Sequence, residues 1–326
     1  MIASEASFQF SALIGHEKAQ NTLLSAFKSR QLHHGWMFSG PRGIGKFKTA
    51  MHFAALLLGA NADRMQINPQ DHIAHLLMNG SHPDLRVIQR PIDDKGKRKS
   101  EIPVVSAREL SAFFALRPAM GGWRVAIIDS IDEMNKNASN ALLKTLEEPP
   151  EKAILIVISH GETSLLSTIR SRCQKLCFSK LPNEEAAAIL MRDTDCSRAE
   201  ADNSLGLVPG RPGKAKDLMT ADALSAATAV ARLIERKEMT DTKALADLLT
   251  SASRSEEAFE AAFMSVYSKV EKSAINAQDG IVAGLWAKVY ASVAQTEMET
   301  KRLKQDRSQA VSKAISTVQT ALRVLN

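Results

Sequence analysis

Gly40-Pro41-Arg42-Gly43-Ile44-Gly45-Lys46-Phe47 has a glycine, four residues, then Gly-Lys. This is the spacing of a phosphate-binding loop. Its backbone N–H groups cradle phosphate and its lysine reaches the terminal phosphates. The next position in such a loop gives Mg²⁺ a Ser or Thr hydroxyl, and here it is Phe47. Thr49 follows two residues later, at the wrong angle on a helix.

The flanks suit the loop. Trp36-Met37-Phe38 is a short apolar run of the kind that forms a buried strand, and Lys46 to Leu58 reads as a helix whose N-terminus faces a bound phosphate. Leu13 to Ser29 reads as a preceding helix, with Ala19, Leu23, Leu24 and Phe27 at helical spacing. Downstream, Arg124-Val125-Ala126-Ile127-Ile128-Asp129 is an apolar strand ending in an acid. In nucleotide hydrolases such an Asp supports Mg²⁺ and a following Glu polarises the attacking water. Ser130 stands in the place of that Glu, and Asp132 and Glu133 come too late to replace it directly. Taken alone, the segment reads equally well as a core strand with a capping aspartate; the loop upstream favours a nucleotide site, degraded at Phe47 and Ser130.

Further elements alternate. Leu85 to Ile88 is extended, Ser106 to Leu116 and Ala138 to Glu148 are helical, and Ala153 to Ser159 and Lys175 to Phe178 are strand-like. Alternation of this kind predicts a parallel sheet covered on both faces. From Asn183 onward the pattern is helical, with Glu184 to Arg192 and Arg198 to Leu205 as short helices. Pro209-Gly210-Arg211-Pro212-Gly213 interrupts it before Lys214 opens another helix. Near the end, Ala310, Val311, Ala314, Ile315, Val318, Ala321, Leu322 and Leu325 form one apolar stripe, read as core or an oligomer contact of a helical bundle.

Composition excludes several classes. No apolar run reaches membrane-spanning length, and Met1 to Phe10 lacks the basic-then-apolar pattern of a secretion signal. Cys173, Cys177 and Cys196 are too few and too clustered for a disulfide framework, so a cytoplasmic protein is expected. The formal charge of +6 permits an acidic partner without demanding one. The basic run Lys95-Gly96-Lys97-Arg98-Lys99 reads as a solvated loop, with a phosphate-backbone contact as its functional alternative. His72, His75 and His82 have no cysteine or suitably spaced carboxylate beside them, so hydrogen-bonding rather than metal-binding roles are expected.

Asn140-Ala141-Leu142-Leu143-Lys144-Thr145-Leu146-Glu147-Glu148-Pro149-Pro150 and Ser171-Arg172-Cys173 resemble the clamp-loader branch of the AAA+ family. Leu32-His33-His34, His82-Pro83-Asp84-Leu85 and Gly121-Gly122-Trp123-Arg124-Val125 match the bacterial members. The likeness is strong from Leu13 to Phe178, moderate to Leu218, and beyond that rests on length and helical character. It implies an α/β AAA+ P-loop domain with a parallel sheet over residues 1–180. A small helical lid over 181–220 and an all-α collar over 221–326 would follow.

In this family the arginine of the Ser-Arg-Cys motif, here Arg172, is an arginine finger that acts in trans on the γ-phosphate of a neighbouring motor subunit. The own-site positions are Gly40, Gly43, Gly45, Lys46 and Asp129, with Ser159 where a first sensor stands. Lys214 occupies the place of the second-sensor arginine, a further sign against own-site hydrolysis. Many members carry a four-cysteine zinc module between the nucleotide motifs; no cysteine lies there, so no zinc is expected. The implied role is a clamp-loader subunit without independent activity, a finger donor and comparatively fixed jaw, with ATP bound without hydrolysis left open. Its implied partners are the motor subunits and the delta subunit in a hetero-oligomeric ring, and through them the sliding clamp and primer–template DNA. Two other readings stand beside it: an active motor-type ATPase, and a DNA-binding scaffold module using the Lys95–Lys99 loop.

Overall fold

In the computed structural model, residues 8–93, 98–99, 101–161, 167–235, 242–277 and 279–325 are described. The chain forms two compact units, Met1–Leu181 and Pro182–Asn326. In the first unit, α1 (Glu17–Lys28), β1 (Gly35–Ser39) and α2 (Lys46–Leu57) are followed by a small hairpin of β2 (Ala62–Asp63) and β3 (Gln66–Ile67). Next come α3 (His72–Met78), β4 (Leu85–Ile88), α4 (Val104–Ala115) and β5 (Arg124–Asp129). A 3₁₀ turn at Ile131–Glu133, α5 (Lys136–Glu147), β6 (Ala153–Ser159), α6 (Ser167–Ser171) and β7 (Gln174–Cys177) complete it.

The sheet order is β4-β5-β6-β1-β7, and every pairing is parallel. A parallel sheet is covered on both faces, so its strands read as continuous apolar runs. All seven residues of β6 and all five of β1 are buried. Side chains still alternate between faces. Trp36, Phe38, Val125, Ile127, Ile154, Ile156 and Ile158 enter a core shared with α1 and α2. Met37, Ala126, Ile128, Leu155 and Val157 enter the opposite core with Leu110 of α4 and Leu142 and Leu146 of α5. The five large side chains from Ile154 to Ile158 are each at most 2% exposed, a gross hydrophobic stabilisation of roughly 8–15 kcal/mol before chain entropy is subtracted.

Helix boundaries moved for local reasons. The leading helix begins at Glu17 rather than Leu13, because Gly15 and His16 have positive φ. Asn135 caps α5 by accepting from the Ala138 N–H, so the helix starts before Ala138. The segment around Ile169 forms the short helix α6.

His82-Pro83-Asp84-Leu85 and Gly122-Trp123-Arg124-Val125 meet in the fold. Buried Asp84 accepts from the backbone N–H groups of Ala119 and Met120, at 2.8 and 2.9 Å, and pairs with Arg124 Nε at 3.3 Å. Arg124 also donates to the carbonyls of Phe113 and Arg117 and lies over the Phe113 ring. This node ties the starts of β4 and β5 to the turn after α4.

The second unit is helical: α7 (Asn183–Thr194), α8 (Arg198–Leu207), α9 (Pro212–Asp217), α10 (Ala221–Glu235), α11 (Thr242–Arg254), α12 (Glu256–Ile275), α13 (Gly280–Leu303) and α14 (Arg307–Leu325). Ala310, Val311, Ala314, Ile315, Val318 and Ala321 of the terminal stripe are buried, with α14 packed on α10, α11, α12 and α13. Among the described residues, no helix is long and apolar enough to cross a membrane.

Candidate functional site

The phosphate loop leaves the C-terminal end of β1. A Cβ on Gly40, which has φ 152°, would stand 2.2 Å from the Phe178 carbonyl oxygen, so only glycine fits there. Gly43 and Gly45 also have positive φ, and Gly45 turns the chain into α2. His16 places a ring nitrogen 2.7 Å from the Ile44 carbonyl oxygen, bracing the loop from outside. The loop geometry read from the sequence is therefore present.

Two positions of the loop depart from the hydrolase pattern in their side chains. Lys46 is buried and donates to the Gly40 and Pro41 carbonyls, at 2.5 and 2.6 Å, folded back on its own loop. Phe47 packs against the core under α1 and α2 and meets Phe8 edge to face at 5.9 Å. Thr49 is buried, and its hydroxyl donates to the Gly45 carbonyl one helical turn back. Neither residue presents a hydroxyl at the metal position.

Asp129 lies at the end of β5 and accepts from Gln89 Nε2 at 3.1 Å. Burial pushes its carboxyl above the ordinary value, against the opposing pull of Gln89 and of the Arg42, Lys46 and Arg98 cations. Ser130 is buried beside it. The two acids that follow have separate structural work. Asp132 accepts from the Ser159 hydroxyl at 3.0 Å and from the His160 N–H at 2.5 Å, tying the β5 exit to the β6 exit. Glu133 pairs with Arg42 of the loop at 3.2 Å and with Arg90 at 3.0 Å. The structure thus brings Gly40, Gly43, Gly45, Lys46, Asp129 and Ser159 to one edge of the sheet. Arg90, Gln89 and His16 join them there; each is remote in sequence from the motifs, and none carried a local signal. These residues do not fit a Mg²⁺–triphosphate poised for hydrolysis, because the metal-ligating hydroxyl and the water-polarising carboxylate are both missing.

Arg172 is at the other edge. Its carbonyl oxygen lies 3.2 Å from where a Cβ on Gly35 would be, at the start of β1. The loop leaves the end of that strand, about 13 Å away along it. The guanidinium is half-exposed; Nη2 pairs with Glu147 Oε1 at 2.9 Å and Nη1 donates to the Thr168 carbonyl at 3.0 Å. The Leu32-His33-His34 motif meets the same corner. His34 Nε2 lies 3.1 Å from the Leu146 carbonyl oxygen, with the His33 and His34 rings stacked at 4.3 Å. Burial, and then His33, lowers the His34 pKa.

Lys214 lies in the second unit, buried on α9, and pairs with Glu260 of α12. Glu260 also accepts from Lys301 at 3.2 Å, and Lys301 reaches Glu297 at 2.8 Å. Of the basic run, Lys95, Gly96 and Lys97 lie outside the described residues, while Arg98 bridges to Ile92.

A parallel sheet covered on both faces, with a glycine-rich loop passing from β1 into α2, defines an α/β domain of the P-loop type, and the chain continues into a helical region. A family model described as "DNA polymerase III, delta subunit" matches residues 15–182, and the chain belongs to that family. The delta-prime subunit of DNA polymerase III from Pseudomonas aeruginosa is 37% identical over 160 residues, 48% of this chain and 47% of that one. The tau subunit from Bacillus subtilis is 29% identical over 197 residues, 60% of this chain and 33% of that one. The chain spans about half the length of the delta-prime relatives it matches. A gamma-subunit-related protein from Thermotoga maritima has a TM-score of 0.45 at 14% identity, over 93% of this chain and 99% of that one.

Proposed function

We propose that this chain is a delta-prime-type clamp-loader subunit that hydrolyses no ATP itself and lends Arg172 to a neighbouring motor subunit. The observation that carries this reading is the separation of the two functional edges. The chain's own loop has Phe47 at the position after its lysine, while Arg172 lies by the opposite end of β1, where its guanidinium meets Glu147 and Thr168. A guanidinium supplied from a neighbouring chain neutralises charge that develops on a transferred phosphoryl group, and such fingers are worth about a thousandfold or more in rate.

In this reading, the short helices over 181–220 act as a lid and the helices over 221–326 as a collar joining a hetero-oligomeric ring. The motor subunits and a delta subunit are the neighbours; the sliding clamp and primer–template DNA are reached through the assembly, in the cytoplasm. ATP binding by the motors orders the interface that Arg172 completes, and hydrolysis releases the clamp around the duplex. The test is DNA-stimulated ATP turnover by the reconstituted loader. Arg172→Ala lowers turnover at least tenfold while the complex still assembles, and Arg172→Lys does not restore it. Unchanged turnover with Arg172→Ala sinks the finger assignment.

A further inference from the structure

Arg172 has a partner before any neighbour arrives. Its guanidinium lies where two helices end. Glu147 closes α5, and Thr168 offers a carbonyl from the last turn of α6. A helix C-terminus carries partial negative charge, so acidic residues there are unfavourable. Yet α5 ends in Glu147-Glu148, with Lys144 the basic residue of its last turn. The combined negative potential attracts a cation, and Arg172 supplies it. Three contacts engage the guanidinium among the described residues: Glu147, the Thr168 carbonyl and, at 3.5 Å, the Ser171 hydroxyl. A guanidinium has five N–H donors, so the grip is partial and reversible. The Arg172 and Glu147 side chains are 35% and 49% exposed, which puts the ion pair within reach of solvent and of an incoming phosphate.

We propose that Glu147 is a positioning residue that holds Arg172 in reserve and yields it to the neighbouring subunit's triphosphate by exchange of carboxylate for phosphate. The idea rests on the reading of Arg172 as a finger acting in trans. A triphosphate carries more negative charge than one carboxylate and accepts the same planar fork of donors, so it displaces Glu147 when the neighbour docks. Until then the carboxylate competes with nucleotide for the guanidinium. Exposed pairs of this kind are weak, which limits the competition to about fivefold.

The experiment is an ATP titration of turnover by the reconstituted loader containing wild-type chain, Glu147→Gln, Glu148→Gln, Arg172→Ala or the Glu147→Gln/Arg172→Ala double variant. Glu147→Gln is expected to lower KM for ATP by two- to fivefold with kcat within twofold of wild type, and the difference shrinks as salt screens the pair. Glu148→Gln removes the same charge one residue along but no contact with Arg172, and lowers KM by clearly less than Glu147→Gln. In the Arg172→Ala background, Glu147→Gln has no effect. An unchanged KM, a fall in kcat, an equal effect of Glu148→Gln, or a shift that persists without Arg172 overturns the proposal. If Glu147→Gln does not assemble, Glu147→Asp, which keeps the charge but is one methylene short of the contact, lowers KM in its place; an unchanged KM then counts against the latch. Failure of the finger reading is seen separately, as undiminished turnover with Arg172→Ala alone.

Discussion

Replacing Glu260 with Gln should uncouple the second unit from acid. Burial alone would push the Glu260 carboxyl up, but Lys301 and Lys214 more than offset it and hold the carboxyl at about 2, against an ordinary 4.5. Because the folded value lies below the unfolded one, this stabilisation is fully present above about pH 4.5 and is lost as pH falls toward 2. The difference corresponds to something on the order of 3 kcal/mol. Tyr267 extends the network by donating to Glu297 at 2.7 Å, so protonation of Glu260 loosens contacts among α9, α12 and α13. Thermal unfolding followed by far-UV circular dichroism from pH 6 to pH 2.5 measures the effect. Wild type should lose stability steeply across the lower half of that range. Glu260→Gln should be less stable at pH 6, because buried Lys214 loses its closer carboxylate and keeps only Asp217 at 3.8 Å, and its loss below pH 4.5 should be shallower. Parallel pH profiles for the two proteins would refute the assignment of Glu260 as the carboxylate neutralising these lysines.

Two further outcomes test the first unit. Asp84→Ala leaves the Arg124 charge buried and two backbone N–H groups unanswered, so it should cost about 3–5 kcal/mol; a loss under 1 kcal/mol in denaturant unfolding would show that the node is not structural. Phe47→Thr restores a hydroxyl after the loop lysine but removes a half-buried ring. It should destabilise by roughly 2 kcal/mol and leave the isolated chain without ATP hydrolysis, since Ser130 still stands in the carboxylate position; Mg²⁺-dependent turnover would return the motor-type reading.

Much of the first unit was legible in advance because its signals are local. Glycine spacing, apolar runs and helix stops each depend on residues near one another in the chain. The buried strands therefore emerged within a residue or two, and Ala310 to Ala321 did face a core. The small hairpin of β2 and β3 and the short helices α3 and α6 were missed, being too short to show a period. Asp132 and Glu133 were read as coming too late in the chain to replace the missing carboxylate. Their actual partners, Ser159, Arg42 and Arg90, come from other strands and loops and had no signal near the acids themselves.

The loss of the metal-ligating hydroxyl at Phe47, the Ser130 substitution and the presence of Arg172 are facts of residue identity, readable without coordinates. Which edge of the sheet each group occupies is not. Parallel β1 and β7 send Gly40 to one end and Arg172 to the other, a consequence of strand pairing between segments more than a hundred residues apart. The same holds for Glu147 beside Arg172 and Glu260 beside Lys214: each pair joins residues of different elements, brought together by the folded chain rather than by any stretch within it.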